Sequence, residues 1–125
     1  MALRVGIDMV SVEAVRESIR DHGARYLKRI YTERELRDCE TAQGLIPERV
    51  AARFAAKEAT LKVLRPVDEA IPWSCIEVLR HGAGWVTLEL SGRAAALAAE
   101  AELTDFELSI CHEADYASAI VIAQS

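Results

Sequence analysis

The chain has 125 residues, 51% of them hydrophobic, and a net charge of −5. That length suits one compact domain over residues 1–125, and the hydrophobic share excludes a disordered chain. Negative charge argues against nonspecific binding to nucleic acid, and no apolar run approaches the roughly 20 residues of a membrane helix.

In chain order, Met1-Ala2-Leu3-Arg4-Val5-Gly6 lacks a basic segment followed by an apolar one, so a secretory signal is not expected and the setting reads as cytoplasmic. Leu3 to Val10 alternates Leu3, Val5, Ile7 and Met9 with Arg4, Gly6 and Asp8, the period of a strand. Ser11 suits the cap of a helix carrying Val12, Val15 and Ile19 on one face. After a break at His22-Gly23, a second helical piece contains Tyr26, Leu27 and Ile30. Thr32 and Glu35 have the spacing of a capping box. Pro47 opens a long helix with Val50, Phe54, Leu61 and Leu64 at helical spacing, which Pro66 and Pro72 terminate. Cys75–Leu79 and Trp85–Leu90 read as a hairpin around His81–Gly84, and Gly92–Leu103 as an alanine-rich helix. Phe106–Cys111 and Ala117–Ala123 read as two closing strands joined by His112–Tyr116. The order predicts an α+β fold, with an antiparallel sheet packed against a long helix and shorter helices.

The three cysteines are far apart and match neither a metal nor a secreted disulfide pattern. Cys75 and Cys111 fall in apolar strands and are expected to be buried, inert thiols. Arg16, Arg20, Arg25, Lys28, Arg29, Arg34 and Arg37 make one stretch basic, either a solvated helix surface or a face for an acidic partner.

Three residues suit phosphate chemistry. Asp8 stands in an otherwise apolar strand, where a carboxylate is costly unless paired or bound to a cation. Glu58 lies about 80° around the long helix from Val50, bordering its buried face, and Lys62 follows one turn later. Two carboxylates suit Mg²⁺, which completes its shell with water and phosphate oxygens, and a lysine neutralises phosphate charge. A satisfied turn carboxylate at Asp8 and an exposed Glu58–Lys62 salt bridge are the plain alternatives.

Gly6-Ile7-Asp8-Met9-Val10, Tyr31-Thr32-Glu33-Arg34-Glu35 and above all Arg53-Phe54-Ala55-Ala56-Lys57-Glu58-Ala59-x-x-Lys62 resemble the holo-acyl-carrier-protein synthase family of small 4′-phosphopantetheinyl transferases. Trp73-Ser74-Cys75-Ile76-Glu77-Val78, Leu90-Ser91-Gly92-Arg93-Ala94 and Leu108-Ser109-Ile110-Cys111-His112 continue the resemblance over nearly the whole chain. It implies the 4′-phosphopantetheinyl transferase fold and an enzyme that moves phosphopantetheine from coenzyme A to a serine of an acyl, polyketide or peptidyl carrier, releasing 3′,5′-ADP. It further implies a homotrimer with active sites at subunit interfaces. By the same resemblance Asp8 and Glu58 hold Mg²⁺, and Glu58, directly or through a bound water, takes the serine proton. Lys62 stabilises phosphate charge, while Arg53 and His112 contact the nucleotide end of coenzyme A.

The chain departs from the family in three places: Ala14 replaces a carrier-docking arginine, Arg65-Pro66-Val67-Asp68 replaces a glycine-rich turn, and Gly84-Trp85 stands for a Gly-x-Pro. Arg16, Arg20 and Arg25 are then the expected docking face for an acidic carrier. A trimeric module that binds coenzyme A or a nucleotide without modifying a carrier is the rival reading.

Overall fold

The computed structural model describes residues 2–125; Met1 of the N-terminal stretch lies outside them. Strand β1 (Leu3–Ser11) leads into helices α1 (Val12–His22), α2 (Ala24–Ile30) and α3 (Glu33–Asp38). A minimal hairpin, β2 (Glu40–Thr41) and β3 (Gly44–Leu45), precedes the long helix α4 (Pro47–Leu64). A 3₁₀ turn at Trp73–Cys75 opens hairpin β4 (Ile76–Arg80) and β5 (Val86–Leu90), followed by α5 (Gly92–Glu100), β6 (Asp105–His112) and β7 (Tyr116–Gln124).

Local signals place most of these elements. The Ser11 hydroxyl accepts the Ala14 amide, and Gly23 ends α1 at a φ of 51°. Thr32 and Glu35 form the reciprocal capping box that starts α3. Pro47 begins α4, and Arg65 closes it in the left-handed conformation, at a φ of 54°. Asp68 is also left-handed, so the turn after α4 takes a backbone shape that glycine favours while keeping its side chains.

The expected antiparallel sheet is β1, β7 and β6 in that order, packed against the long helix, with β4–β5 and β2–β3 as separate hairpins. Two expectations change. Helix α5 stops at Glu100 rather than Leu103. Cys111 is exposed, and Cys75 is half-buried at the edge of the cluster beneath α5; Cys39 is the enclosed thiol, and burial pushes it up to about 11.

Helix α4 lies across the three-stranded sheet and is buried nearly all round. Ala55, Ala56, Ala59 and Val63 pack on Ala119, Val121 and Ala123 of β7, while Val50, Ala51 and Ala52 meet Val12, Val15 and Ile30 under the short helices. Leu64 and Ile76 join Ala94 and Ala98 beneath α5. Small residues let the helix sit close to the sheet. Phe54 and Leu61, expected on the buried face, are only half-buried. The opposite face of β1 is bare: Leu3, Val5, Ile7 and Met9 are each at least 60% exposed, beside Ile120 and Ile122 of β7.

Candidate active site

A close approach of strand to helix builds the first half of the site. Gly6 of β1 sits directly on α4, where a Cβ would come within 2.0 Å of the Ala59 carbonyl oxygen. Only glycine permits that contact. It brings Asp8, on the same face of β1, beside Glu58 and Lys62, which flank Ala59 along α4. Ser118 of β7 fixes the strand by donating to the Asp8 carbonyl at 3.1 Å.

Lys62 Nζ donates to the Ile7 carbonyl at 2.7 Å and reaches Asp8 Oδ1 at 3.4 Å. That ion pair is open, with the Lys62 side chain 54% exposed. Glu58 is half-buried, and its carboxyl is held above the usual range, first by burial and then by the Asp8 charge, with Lys62 opposing. A cation between the two carboxylates relieves their repulsion. No cluster of three or more His, Cys, Asp or Glu able to hold a metal occurs among the described residues. Two carboxylates nonetheless fit Mg²⁺, which binds through one or two of them plus substrate phosphates.

Arg53 and His112 lie elsewhere. They line a cavity of about 290 Å³ with Arg49 and Arg80, closed by Gly84, Val86 and Ile110. Arg53 is 3% exposed, and its Nε is buried without a hydrogen-bond partner among the described residues. A buried guanidinium NH without a partner, beside Arg49, Arg80 and His112, gives this cavity a positive lining of the kind that suits an anion. Sequence reading missed Arg49 and Arg80; the spacing of Arg49 to Arg53, one helical turn apart, was the available signal.

Within one chain the two halves do not merge. Arg53 and Glu58 are five residues apart on α4, hence about 140° around the helix and about 7.5 Å along it. The carboxylate pair and the anion cavity thus open on different sides of α4.

The residues expected to dock a carrier divide as well. Arg16 is engaged by Glu13 at 3.0 Å and Glu48 at 3.2 Å, while among the described residues Arg20 makes only a long contact to Asp21 at 3.5 Å. Arg25 lines a cleft of about 400 Å³ with His22, Arg29, Tyr26, Phe54 and Trp73. Arg34 leaves the basic face altogether, held by Glu77 and Glu89.

Sequence similarity agrees with this geometry. The model of the 4′-phosphopantetheinyl transferase superfamily matches residues 4–121. The holo-[acyl-carrier-protein] synthase of Desulforudis audaxviator is 40% identical over 98% of this chain and 93% of its own length. That of Koribacter versatilis is 39% identical over 99% of both chains. Among solved structures, the Chronobacterium ammoniagenes ACPS–CoA complex superposes with a TM-score of 0.84 at 32% identity, covering 99% of this chain and 98% of that one. The acyl carrier protein synthase of Mycobacterium tuberculosis gives 0.72 at 30% identity, covering 97% and 96%. The chain belongs to the 4′-phosphopantetheinyl transferase superfamily, among its holo-[acyl-carrier-protein] synthases.

Proposed function

We propose that this chain, as a single cytoplasmic phosphopantetheinyl transferase domain, moves 4′-phosphopantetheine from coenzyme A to a serine of an apo-carrier protein. The observation that carries the reading is the pair Asp8 and Glu58, set side by side by the Gly6–Ala59 contact and overlooked by Lys62. Glu58 takes the proton of the carrier serine, directly or through a bound water. The serine oxygen forms a bond to the β-phosphorus of coenzyme A, the bond from that phosphorus to the bridging oxygen breaks, and 3′,5′-ADP leaves with the electron pair. Lys62, half in solvent, stabilises charge on the phosphates as this happens. Asp8 and Glu58 would hold a Mg²⁺ ion, which would supply neutralisation of the diphosphate charge. Arg53 and His112, with Arg49 and Arg80, hold the nucleotide's 3′-phosphate.

Two features support a homotrimer. The anion cavity and the carboxylates face apart on one chain, so a second copy brings them together. The bare row Leu3, Val5, Ile7 and Met9 is an apolar sheet face of the kind that marks a protein interface. For the carrier, the acidic helix of such a protein suits Arg20 and Arg25, with Arg16 already partly neutralised by Glu13 and Glu48. The apolar cleft beside Arg25 extends that surface.

Mass spectrometry of apo-carriers incubated with the protein, coenzyme A and Mg²⁺ tests the reading. Gain of one phosphopantetheine on the carrier serine is the expected result. Tight coenzyme A binding with every carrier left unmodified would instead favour the binding module.

A further inference from the structure

One lysine in the long-helix motif has no part in this chemistry. Lys57 precedes Glu58, yet it is fully buried and paired with Glu35 Oε1 at 2.8 Å, also fully buried. Its ammonium donates further to the carbonyls of Trp73 at 3.0 Å and Ile76 at 2.5 Å. Three acceptors use all three donors of the group. Glu35 is equally engaged: its second oxygen accepts the Val78 amide at 2.8 Å, and Oε1 also accepts the Thr32 amide at 2.9 Å. The Thr-x-x-Glu motif therefore caps α3 and, through the same glutamate, binds α3 and β4 to α4.

The place of this lysine on the helix matters. Lys57 and Ala59 lie about 100° to either side of Glu58. Ala59 is pressed against Gly6 of β1, and Lys57 is tied to α3, the 3₁₀ turn and β4. The two anchors resist rotation of α4 in opposite senses. A carboxylate about 6 Å from the helix axis moves by about 1 Å for each 10° of roll. Misplacement of that size costs up to about 10² in rate.

We propose that the Glu35–Lys57 pair is a positioning device: it sets the roll of α4, and so aims Glu58 at Asp8 on one side and Arg53 into the anion cavity on the other. The inference rests on the transferase reading above. It makes Lys57 a positioning residue that touches neither substrate nor metal.

Lys57→Met and Glu35→Gln test it, the second removing the charge while keeping an acceptor for one of the two backbone amides. Each is compared with wild type below its own melting point. The readouts are Mn²⁺ affinity in the presence of coenzyme A by electron paramagnetic resonance, and kcat and KM for an apo-carrier. Both variants should lose at least about tenfold in kcat and in Mn²⁺ affinity, with carrier KM nearly unchanged. Lys57→Arg, which keeps the charge and some of the donors, should recover part of both. Folded variants that melt earlier but keep wild-type kcat and Mn²⁺ affinity would overturn the proposal. Failure of all three to fold even in the cold overturns it too, since the pair would then support the fold rather than aim the helix. A wild type that binds Mn²⁺ but modifies no carrier counts against the transferase reading alone, because the Mn²⁺ comparison still decides the role of the pair.

Discussion

Helix α4 carries two lysine–carboxylate pairs, five residues apart, and they are built in opposite ways. Lys57 and Glu35 meet at 2.8 Å with both side chains at 0% exposure. Lys62 and Asp8 are 3.4 Å apart, with 54% and 21% of their side chains exposed. The first pair has every donor satisfied by protein, so a ligand can gain nothing there. The second is held loosely, and Glu58 beside it has a raised proton affinity, first from burial and then from the Asp8 charge. Charge that the fold leaves poorly satisfied is charge kept for a ligand.

The sharpest way to break this comparison is to remove the loosely held carboxylates. Asp8→Ala and Glu58→Gln should each lower kcat on the order of 10²–10⁴ while the protein stays folded and associated. Near-normal turnover of Asp8→Ala at saturating Mg²⁺ would withdraw it from the metal site. Stability should move the other way for Glu58→Gln. A carboxyl whose folded pKa is raised costs nothing below its unfolded pKa, and costs increasingly as pH rises through the folded value. Wild-type stability in metal-free buffer should therefore fall relative to Glu58→Gln over the window just above the ordinary glutamate range. Paired thermal melts across that window check the sign.

Assembly comes next. If the proposed trimer shares its sites between subunits, Val5→Glu, in the centre of the bare row on β1, should leave a monomer and strongly weaken coenzyme A binding. Light scattering and calorimetry read the two effects. A monomeric Val5→Glu protein that binds coenzyme A as wild type does would show that one chain suffices.

The two lysines then separate in stability. Breaking a buried pair leaves an uncompensated charge, so Lys57→Met should cost about 3–5 kcal/mol in denaturant unfolding. Lys62→Met should change stability by no more than about 1 kcal/mol, as exposed pairs do, while impairing transfer. Equal destabilisation by the two substitutions would erase the distinction.

Sequence patterns made one of these pairs legible and hid the other. Asp8, Glu58 and Lys62 stand out because a carboxylate in an apolar strand and an i,i+4 pair on a helix are local signals. The capping box at Thr32 and Glu35 is local too. That Glu35 turns inward to meet Lys57 depends on how α3 packs on α4, which no local pattern specifies. The same limit explains the bare face of β1. Alternation predicts a strand, but which face meets the helix is decided by Gly6, whose missing side chain lets α4 approach on its own side. Arg80 joins Arg49, Arg53 and His112 only through the register of the β4–β5 hairpin, and the two-residue strands β2 and β3 are too short for periodicity to reveal.

The smallest effect expected lies on the docking face. Arg20 is exposed and makes only a long contact to its sequence neighbour Asp21, whereas Arg16 is shared between Glu13 and Glu48. A free cation acts on encounter, and a neutralised one acts little. Arg20→Glu should therefore raise the carrier KM by about threefold to tenfold at low salt, with coenzyme A affinity unchanged, and Arg16→Glu should do less. The gap between wild type and Arg20→Glu should close as ionic strength rises, since exposed charges are screened beyond about 8–10 Å near physiological salt. Arg25 differs from both because it borders the cleft of Tyr26, Phe54 and Trp73, so Arg25→Glu should retain part of its effect at high salt. Carrier kinetics indifferent to all three reversals, with no salt dependence in the wild type, would reduce the basic helices to a solvated surface and move the search for the carrier's footprint to another face.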